Sequence, residues 1–429
     1  MTTVSLAWPG HPLAGTAHLP ASKSESNRVL LLQRLAGGGT LTNLSEAHDT
    51  VLMQRLLREA DTADLLDAED AGTVMRFMTA YLAASSWRGT LTGALRMQQR
   101  PIGVLVDALR TLGADIAYLE KEGYPPLRFG GRALAAGLAE LKVRGDISSQ
   151  YISALLMLGP MLPAGLRLRL TGEVGSRPYI EMTLALMRHF GAATKWEVAD
   201  TIAVLPGHYH PAGYTVESDW SAASYWYALV ALAPAGSGVV LPGLRAASWQ
   251  GDHVIQAIMQ PLGVATKFLA AGGVQLTQVP AAPVALLARP LDFTDCPDLA
   301  QTVAVVAAAL EVPLRLTGLQ SLRLKETDRI AALQAELAKF GAAMPEVAPG
   351  VFEVQSTNFQ VNGQQVATYD DHRMALAFAP LALRGPVRIE NAAVVRKSYP
   401  GFWRALAGVG MAVQETDEEL TTQFSTSPS

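Results

Sequence analysis

The chain has 429 residues, more than one ordinary hydrophobic core accommodates, and this length indicates two domains. Hydrophobic residues make up 49% and charged residues 17%, below the roughly 25% charged of an average soluble protein, so much of the chain must be buried. A formal net charge of -4 without a basic run argues against nucleic acid as the main partner. One cysteine, no signal-peptide pattern and no apolar run of bilayer length predict a soluble cytoplasmic protein.

Polar clusters that open into apolar runs of helical period predict six helix N-termini. The clusters begin at Ser22, Glu69, Gly145, Ser218, Asp295 and Asp370. Hydroxyl and carboxylate side chains accept the unpaired N–H groups of a first helical turn, and the helix dipole favours an anion there. Lys23, Arg28, Arg76 and Arg373 add positive charge to several of these helix starts. The pattern predicts a site for a small ligand with several negative charges.

A second block recurs after each helix start. It consists of a strand ending near Leu-Thr-Gly, a polar loop, an amphipathic helix and a glycine before the next strand, as after residues 91–93, 170–172 and 316–318. A period of about 70 residues is typical of one supersecondary unit used repeatedly. Each unit needs a crossover between parallel strands, so we predict an α/β fold of six units, three in each of two similar domains.

The symmetric division of these units predicts the domain boundaries. Residues 21–217 form the first three-unit domain and residues 218–414 the second, and a strand within residues 1–20 joins the second domain. Residues 415–429 are acidic and rich in Ser and Thr, and we expect a flexible tail there. The first unit is shortened by a strand pair, because too few residues separate Arg58 from Asp70.

The richest polar cluster precedes the helix at residue 330. Lys325 and Arg329 are two cations at a helix N-terminus, where the dipole disfavours them, so capping alone does not explain the cluster. Asp298 is most simply a carboxylate at a helix start, and His372 standing alone is a weak signal. Phosphate-loop, dinucleotide-binding and zinc motifs are absent from the sequence.

Motifs spread over nearly the whole chain belong together as one set. They occupy residues 19–28, 71–76, 96–103, 124–127, 148–150, 178–180, 297–298, 325–329, 371–375 and 397–400. In this order they resemble the motifs of the 5-enolpyruvylshikimate-3-phosphate synthase family of enolpyruvyl transferases. The family fold has two similar domains, each with three βαβαββ units around a pseudo-threefold axis. This fold agrees with the repeat count read from the residues.

The resemblance implies transfer of the enolpyruvyl group of phosphoenolpyruvate to the 5-hydroxyl of shikimate-3-phosphate, with release of phosphate and without metal or organic cofactor. Such a transfer serves aromatic amino-acid biosynthesis through chorismate. By resemblance, Asp298 is the base at the 5-hydroxyl, Glu326 is the acid at the methylene of phosphoenolpyruvate, and Lys23 and Lys397 complete the catalytic set. Closure of the two domains over the ligands is also implied.

The resemblance also implies two sets of binding residues. The phosphoenolpyruvate set is Lys23, Gly72, Arg100, Gln150, Arg329, His372, Arg373 and Lys397. The shikimate-3-phosphate set is Lys23, Ser24, Arg28, Ser148, Ser149, Gln150, Ser176, Tyr179, Asp298, Ser321 and Lys325. These two small molecules are the expected partners, and we expect a monomer.

Three residues depart from the family pattern. Asp70 and Ser321 stand where the family commonly has Asn, and Phe77 replaces a common Pro, which leaves sensitivity to the inhibitor glyphosate open. Two alternatives remain at this point. One is an enolpyruvyl transferase acting on UDP-N-acetylglucosamine, disfavoured because Cys296 lies at a helix start and not in an active-site loop. The other is a catalytically weak homologue that binds sugar phosphates.

Overall fold

The structure is a computed structural model, which describes residues 2–132, 134, 140–146, 148–282 and 288–417. The chain forms two compact units. The N-terminal unit comprises Ala21–Val216, and the C-terminal unit comprises Met1–Pro20 together with Glu217–Ser429. Each unit has its own hydrophobic core, built from its own helices and strands.

Helices account for much of both cores. In the N-terminal unit they are α1 Lys23–Leu35, α2 His48–Glu59, α3 Gly72–Ala84, α4 Gly103–Thr111, α5 Ser149–Leu158 and α6 Arg177–His189. In the C-terminal unit they are α7 Trp220–Leu232, α8 Ile255–Met259, α9 Ala300–Ala309, α10 Arg329–Ala338, α11 His372–Phe378 and α12 Phe402–Gly408. Short 3-10 helices span Met97–Gln99, Gly159–Met161, Gly251–Val254, Pro297–Leu299, Gln320–Leu324, Ala379–Leu383 and Ala392–Lys397.

The strands are short and belong to small sheets. Those up to residue 215 are β1 Thr2–Ala7, β2 Leu41–Thr42, β3 Leu65–Asp67, β4 Arg88–Thr92, β5 Ile116–Tyr118, β6 Leu127–Gly130, β7 Leu141–Arg144, β8 Leu166–Thr171, β9 Thr194–Val198, β10 Thr201–Val204 and β11 Tyr214–Thr215. The remainder are β12 Gly238–Leu241, β13 Val264–Phe268, β14 Val274–Gln278, β15 Leu291–Asp292, β16 Arg315–Thr317, β17 Ala342–Ala343, β18 Glu346–Ala348, β19 Val351–Glu353, β20 Gln355–Ser356, β21 Gln365–Val366, β22 Val387–Ile389 and β23 Ala412–Asp417.

One strand order recurs in the four-stranded sheets. The orders are β3-β4-β6-β5, β7-β8-β10-β9, β15-β16-β19-β18 and β21-β22-β1-β23. The first pair in each order is parallel and the other two pairs are antiparallel. A parallel pair requires a crossover, which a buried helix supplies each time. The repeated α/β unit predicted from the sequence is therefore confirmed.

The N-terminal strand completes the last of these sheets. β1 lies between β22 and β23 and pairs antiparallel with both. Thr2, Thr3 and Val4 pair with Asp417, Thr416 and Glu415. Residues 415–417, which the sequence analysis assigned to a flexible tail, are therefore part of a strand, because β1 supplies their backbone partners. The rest of the expected tail, 418–429, lies outside the described residues.

The first repeat is the short one, as predicted. Among the residues that the structure describes, its strand β2 pairs only with β11, in a two-stranded parallel sheet. Helix α2 ends at Glu59 and β3 begins at Leu65, which leaves no room for the antiparallel pair that follows α4 and α6. The described residues contain no helix long and apolar enough to span a membrane.

Buried helices form the inner layer of each unit. Helices α3 and α5 pack against each other, as do α7 and α9, and these helices are buried along nearly their whole length. Helices that are apolar on all sides belong in a core. The burial of these apolar helices accounts for the low charged fraction of the chain.

Candidate active site

Arg329 is the hub of a charged cluster in the C-terminal unit. It opens α10, which Asp328 caps by accepting the N–H groups of Ile330 and Ala331 at 3.1 Å. Its guanidinium, 2% exposed, contacts three carboxylates: Asp298 at 2.9 Å, Glu326 at 2.8 Å and Asp371 at 2.6 Å. These anions explain how a cation is stable at a helix N-terminus, which the sequence left unexplained.

Asp298 shares several cations of this cluster. Its second oxygen accepts Arg373 Nη2 at 2.7 Å, and Lys325 Nζ lies 3.7 Å from the first. Burial disfavours the charged carboxylate, but the attraction of Arg373, Lys325 and Arg329 outweighs it and holds the pKa of Asp298 well below its ordinary value. Asp298 is therefore ionised in this structure, as a proton acceptor must be.

The start of α11 supplies the other side of the cluster. Asp371 is the cap, and its Oδ1 accepts the Arg373 N–H at 2.9 Å while Oδ2 binds Arg329. His372 is 2% exposed, with Nδ1 3.8 Å from Asp371 Oδ1. Arg373 also donates to the Tyr225 hydroxyl at 3.2 Å. One capping carboxylate thus binds the Arg329 guanidinium and holds the first turn of α11, which carries Arg373.

Two predicted residues lie at the margin of this cluster. Lys397 Nζ donates to the Asp370 carbonyl at 3.1 Å, just before the start of α11. Ser321 is exposed on the 3-10 turn Gln320–Leu324, which precedes Lys325. The structure therefore brings Asp298, Lys325, Glu326, Arg329 and Arg373 together, with Lys397 and Ser321 on adjoining segments.

A buried carboxyl that the sequence analysis did not single out adjoins the cluster. Asp252 is 2% exposed and accepts a hydrogen bond from Ser221 on α7. Ser221 and Tyr225 are one helical turn apart on α7, and Tyr225 contacts Arg373, so Asp252 lies on the side of α7 that faces the charged cluster. Burial, and then the charge of Asp298, raise the pKa of Asp252 to about 7.

Arg28 is the centre of a different polar cluster, in the N-terminal unit. It is 2% exposed and donates to the Thr183 hydroxyl at 2.7 Å, the Ser24 carbonyl at 2.9 Å and the Ser153 hydroxyl at 3.2 Å. Its guanidinium lies 5.9 Å from the Tyr179 ring centroid. Burial lowers the pKa of Arg28 to about 10, so the group is still a cation at neutral pH. A buried guanidinium whose hydrogen-bond acceptors are neutral groups is suited to an anionic ligand.

Gly72 and Arg100 meet at the start of α3. A Cβ on Gly72 would lie 2.6 Å from Arg76 Nη1 and 2.9 Å from Arg100 Nη1, so two guanidinium groups rest on the bare α-carbon. Arg76 donates to the Gly72 carbonyl at 2.9 Å, and Gln150 Nε2 donates to the Thr73 hydroxyl at 3.0 Å. Two cations beside a helix N-terminus suit a phosphate or carboxylate.

The remaining predicted residues of this unit lie at helix starts. Lys23 opens α1, and its Nζ pairs with Asp49 on α2 at 3.1 Å. Ser148 caps α5 by accepting the Gln150 N–H at 3.4 Å, and Ser149 is the first residue of that helix. Ser176 precedes α6 with a left-handed φ of 55°.

Sequence reasoning missed several partners of these side chains. Asp371 in one unit, and Asp49, Thr183 and Ser153 in the other, orient or compensate the predicted cations, and Asp252 adjoins the cluster through Ser221. The signals for Asp371 were its place in a polar helix start and in the matching stretch 371–375. The others sit in ordinary helical or turn sequence, and only the fold brings them to the site. The described residues contain no His, Cys, Asp and Glu group that could hold a metal ion.

Comparisons with known proteins agree on one family. A family model described as EPSP synthase (3-phosphoshikimate 1-carboxyvinyltransferase) matches residues 59–406. A protein named 3-phosphoshikimate 1-carboxyvinyltransferase from Bacteroides fragilis (strain YCH46) is 47% identical over 409 residues, covering 95% of this chain and 98% of that protein. A protein of the same name from Cellvibrio japonicus (strain Ueda107) is 39% identical over 443 residues, covering 95% and 100%.

Solved structures agree in fold. The structure of EPSP synthase from Acinetobacter baumannii matches with a TM-score of 0.76 at 21% identity, covering 97% of this chain and 100% of that chain. The enolpyruvyl transferase NikO from Streptomyces tendae matches with a TM-score of 0.71 at 14% identity, covering 97% and 99%. At these identities the likeness concerns the fold, and it confirms the predicted α/β class.

Proposed function

The chain belongs to the EPSP synthase (3-phosphoshikimate 1-carboxyvinyltransferase) family, and from this premise we propose how its residues carry out the reaction. The enzyme transfers the enolpyruvyl group of phosphoenolpyruvate to the 5-hydroxyl of shikimate-3-phosphate and releases phosphate, a step of aromatic amino-acid biosynthesis. We further propose that it acts in the cytoplasm as a monomer, with these two small molecules as its partners and without metal or organic cofactor.

The observation that carries the residue assignment is the joint ion pairing of Asp298 and Glu326 with Arg329. In the addition step, Asp298 takes the proton of the 5-hydroxyl, the oxygen bonds to C2 of phosphoenolpyruvate, and Glu326 in its protonated form gives a proton to the methylene carbon. In the elimination step, the Glu326 carboxylate takes a proton back from the new methyl group, the bond from C2 to the phosphate oxygen breaks, and phosphate departs with the proton that Asp298 received. Lys23 stabilises the phosphate of the intermediate.

The charge pattern suggests when Asp298 acts as a base. Its three cationic partners make it a weak proton acceptor in the absence of anions. Arg329 and Arg373 are also assigned to the carboxylate and phosphate of phosphoenolpyruvate, whose negative charge offsets theirs. Bound substrate therefore raises the basicity of Asp298 at the point where the reaction needs it.

The binding assignments follow the positive clusters. Arg100, with the backbone at Gly72, and Arg329, Arg373 and Lys397 hold phosphoenolpyruvate, with His372 supporting the phosphate site. Lys23 and Gln150 contact both substrates. Shikimate-3-phosphate is held by Ser24, Arg28, Ser148, Ser149, Ser176, Tyr179, Asp298, Ser321 and Lys325. The buried cation of Arg28 and the guanidinium pair on Gly72 support these assignments.

The direct test is phosphate release from phosphoenolpyruvate with either shikimate-3-phosphate or UDP-N-acetylglucosamine as acceptor. Release only with shikimate-3-phosphate is expected. Release with the nucleotide sugar would favour the related transferase activity. No release with either acceptor, from protein with a cooperative melting transition, would favour a homologue that binds sugar phosphates without turnover.

A further inference from the structure

Glu69 has a backbone conformation that is unusual for its residue type. It lies in residues 68–71, which join β3 to α3, and its φ is 50°. The left-handed region is strained for L-residues other than glycine, with Asn and Asp the usual exceptions. Glutamate is a costly choice at this position unless other contacts hold it there.

Two basic side chains of α2 hold the Glu69 carboxylate. His48 Nε2 lies 2.7 Å from one oxygen, and Arg55 Nη2 lies 2.9 Å from the other. The two residues are seven positions apart and therefore share one face of the helix. All three side chains are partly exposed, so each pair alone is weak. Held through both oxygens, however, the carboxylate is fixed from two directions.

The backbone of Glu69 links two segments of the candidate active site. Its carbonyl accepts the Ala94 N–H at 2.9 Å, and a Cβ on Gly93 would lie 2.8 Å from that carbonyl, so glycine permits the approach. From Ala94 the chain continues to Arg100, and from Glu69 it reaches Gly72 within three residues. Glu69 thus lies where the segments that carry Gly72 and Arg100 are joined.

We propose that Glu69 is a positioning residue for phosphoenolpyruvate binding. Its ion pairs with His48 and Arg55 hold residue 69 in the left-handed conformation. This conformation keeps Gly72 and Arg100 in their relative positions. The inference rests on the proposed function, which assigns both of those residues to phosphoenolpyruvate. Residues 68–71 bind phosphoenolpyruvate productively only in this conformation. If they leave it part of the time, the apparent affinity for phosphoenolpyruvate is multiplied by the fraction of molecules that remain in it.

Glu69→Ala and Glu69→Gly make a matched pair for the test. Both remove the carboxylate, its charge and both ion pairs, but only glycine adopts a left-handed φ without strain. Steady-state kinetics should show a Michaelis constant for phosphoenolpyruvate about five- to tenfold higher in Glu69→Ala than in Glu69→Gly. The turnover number and the Michaelis constant for shikimate-3-phosphate should agree within about twofold between them.

Hydrogen exchange of the Ala94 amide gives a second readout that needs no substrate. Exchange should be several-fold faster in Glu69→Ala than in Glu69→Gly, because the Glu69 carbonyl no longer holds its partner continuously. Arg55→Ala should also speed this exchange, and adding Glu69→Gly to it should restore protection.

Equal Michaelis constants for phosphoenolpyruvate in the Ala and Gly variants would overturn the proposal, as would a parallel rise for shikimate-3-phosphate. If the unsubstituted enzyme releases no phosphate, the proposed function fails. Ala94 exchange then decides the positioning claim by itself, and equal exchange in the two variants refutes it.

Discussion

Asp252→Asn is expected to make the stability of the C-terminal unit less dependent on pH. The carboxyl is 2% exposed, accepts a hydrogen bond from Ser221, and has its pKa raised from 3.8 to about 7 by burial and by Asp298. Because this pKa is raised, the stabilisation is complete below about pH 4, where the unfolded chain is also protonated. This stabilisation is lost as the pH rises from about 4 through 7. Asparagine carries no charge at any pH, so the variant lacks this loss.

The magnitude follows from linkage. Between pH 5 and pH 7 the unfolded state is ionised at this group and the folded state is not, and each pH unit changes the free energy of unfolding by about 1.36 kcal/mol. Two units give roughly 3 kcal/mol, with little further change above pH 7. At 2–4 °C per kcal/mol, the melting temperature of the variant relative to the parent should rise by roughly 6–12 °C between pH 5 and pH 8.

Differential scanning calorimetry of both proteins at these two pH values measures this difference. Glu415→Gln is the matched control, because Glu415 is exposed on β23 and its substitution should shift the melting temperature equally at both pH values. The melting temperatures of Asp252→Asn and the parent are compared at each pH. If their difference stays constant within about 2 °C from pH 5 to pH 8, a buried, neutral Asp252 is refuted.

The catalytic roles and one departure from the family pattern give further predictions. Glu326→Gln should retain the binding of both substrates, measured by calorimetric titration, and lose about a hundredfold or more in turnover because the amide supplies no proton; unchanged turnover would contradict its role as the acid. Asp70→Asn should lower the Michaelis constant for phosphoenolpyruvate about two- to fivefold, since it removes a negative charge next to the Gly72 helix start at a screened energy of up to ~1 kcal/mol. An unchanged constant would show that Asp70 does not affect anion binding.

The sequence predicted the repeated architecture well because each unit carries its own signals for the starts and ends of helices and strands. Polar helix starts, Leu-Thr-Gly strand ends and glycine caps are local signals, and helices begin at Lys23, Gly72 and Ser149 where the polar clusters indicated. The short first unit followed from counting residues between Arg58 and Asp70. The extent of the last strand was missed, because residues 415–417 become a strand only through pairing with β1, more than 400 positions away.

The sequence predicted the cationic residues of the candidate site better than it predicted the residues that orient them. Lys325 and Arg329 were recognisable because the helix dipole disfavours positive charge at a helix N-terminus. Asp371 and Asp252 were not assigned roles, since their importance depends on tertiary neighbours and on burial. Glu69 was equally hidden, because the sign of its φ and its contacts with α2 leave no pattern in the chain. The signals that sequence reasoning lacks are therefore long-range charge compensation and local backbone strain.

Phosphate release by Asp298→Asn tests the central claim most directly. The substitution keeps the size of the side chain and removes the proton acceptor, so release in the presence of both substrates should fall at least about a hundredfold, while calorimetric titration still detects shikimate-3-phosphate. Phosphate release within about tenfold of the unsubstituted enzyme would contradict the assignment of Asp298 as the base in the carboxylate and arginine cluster.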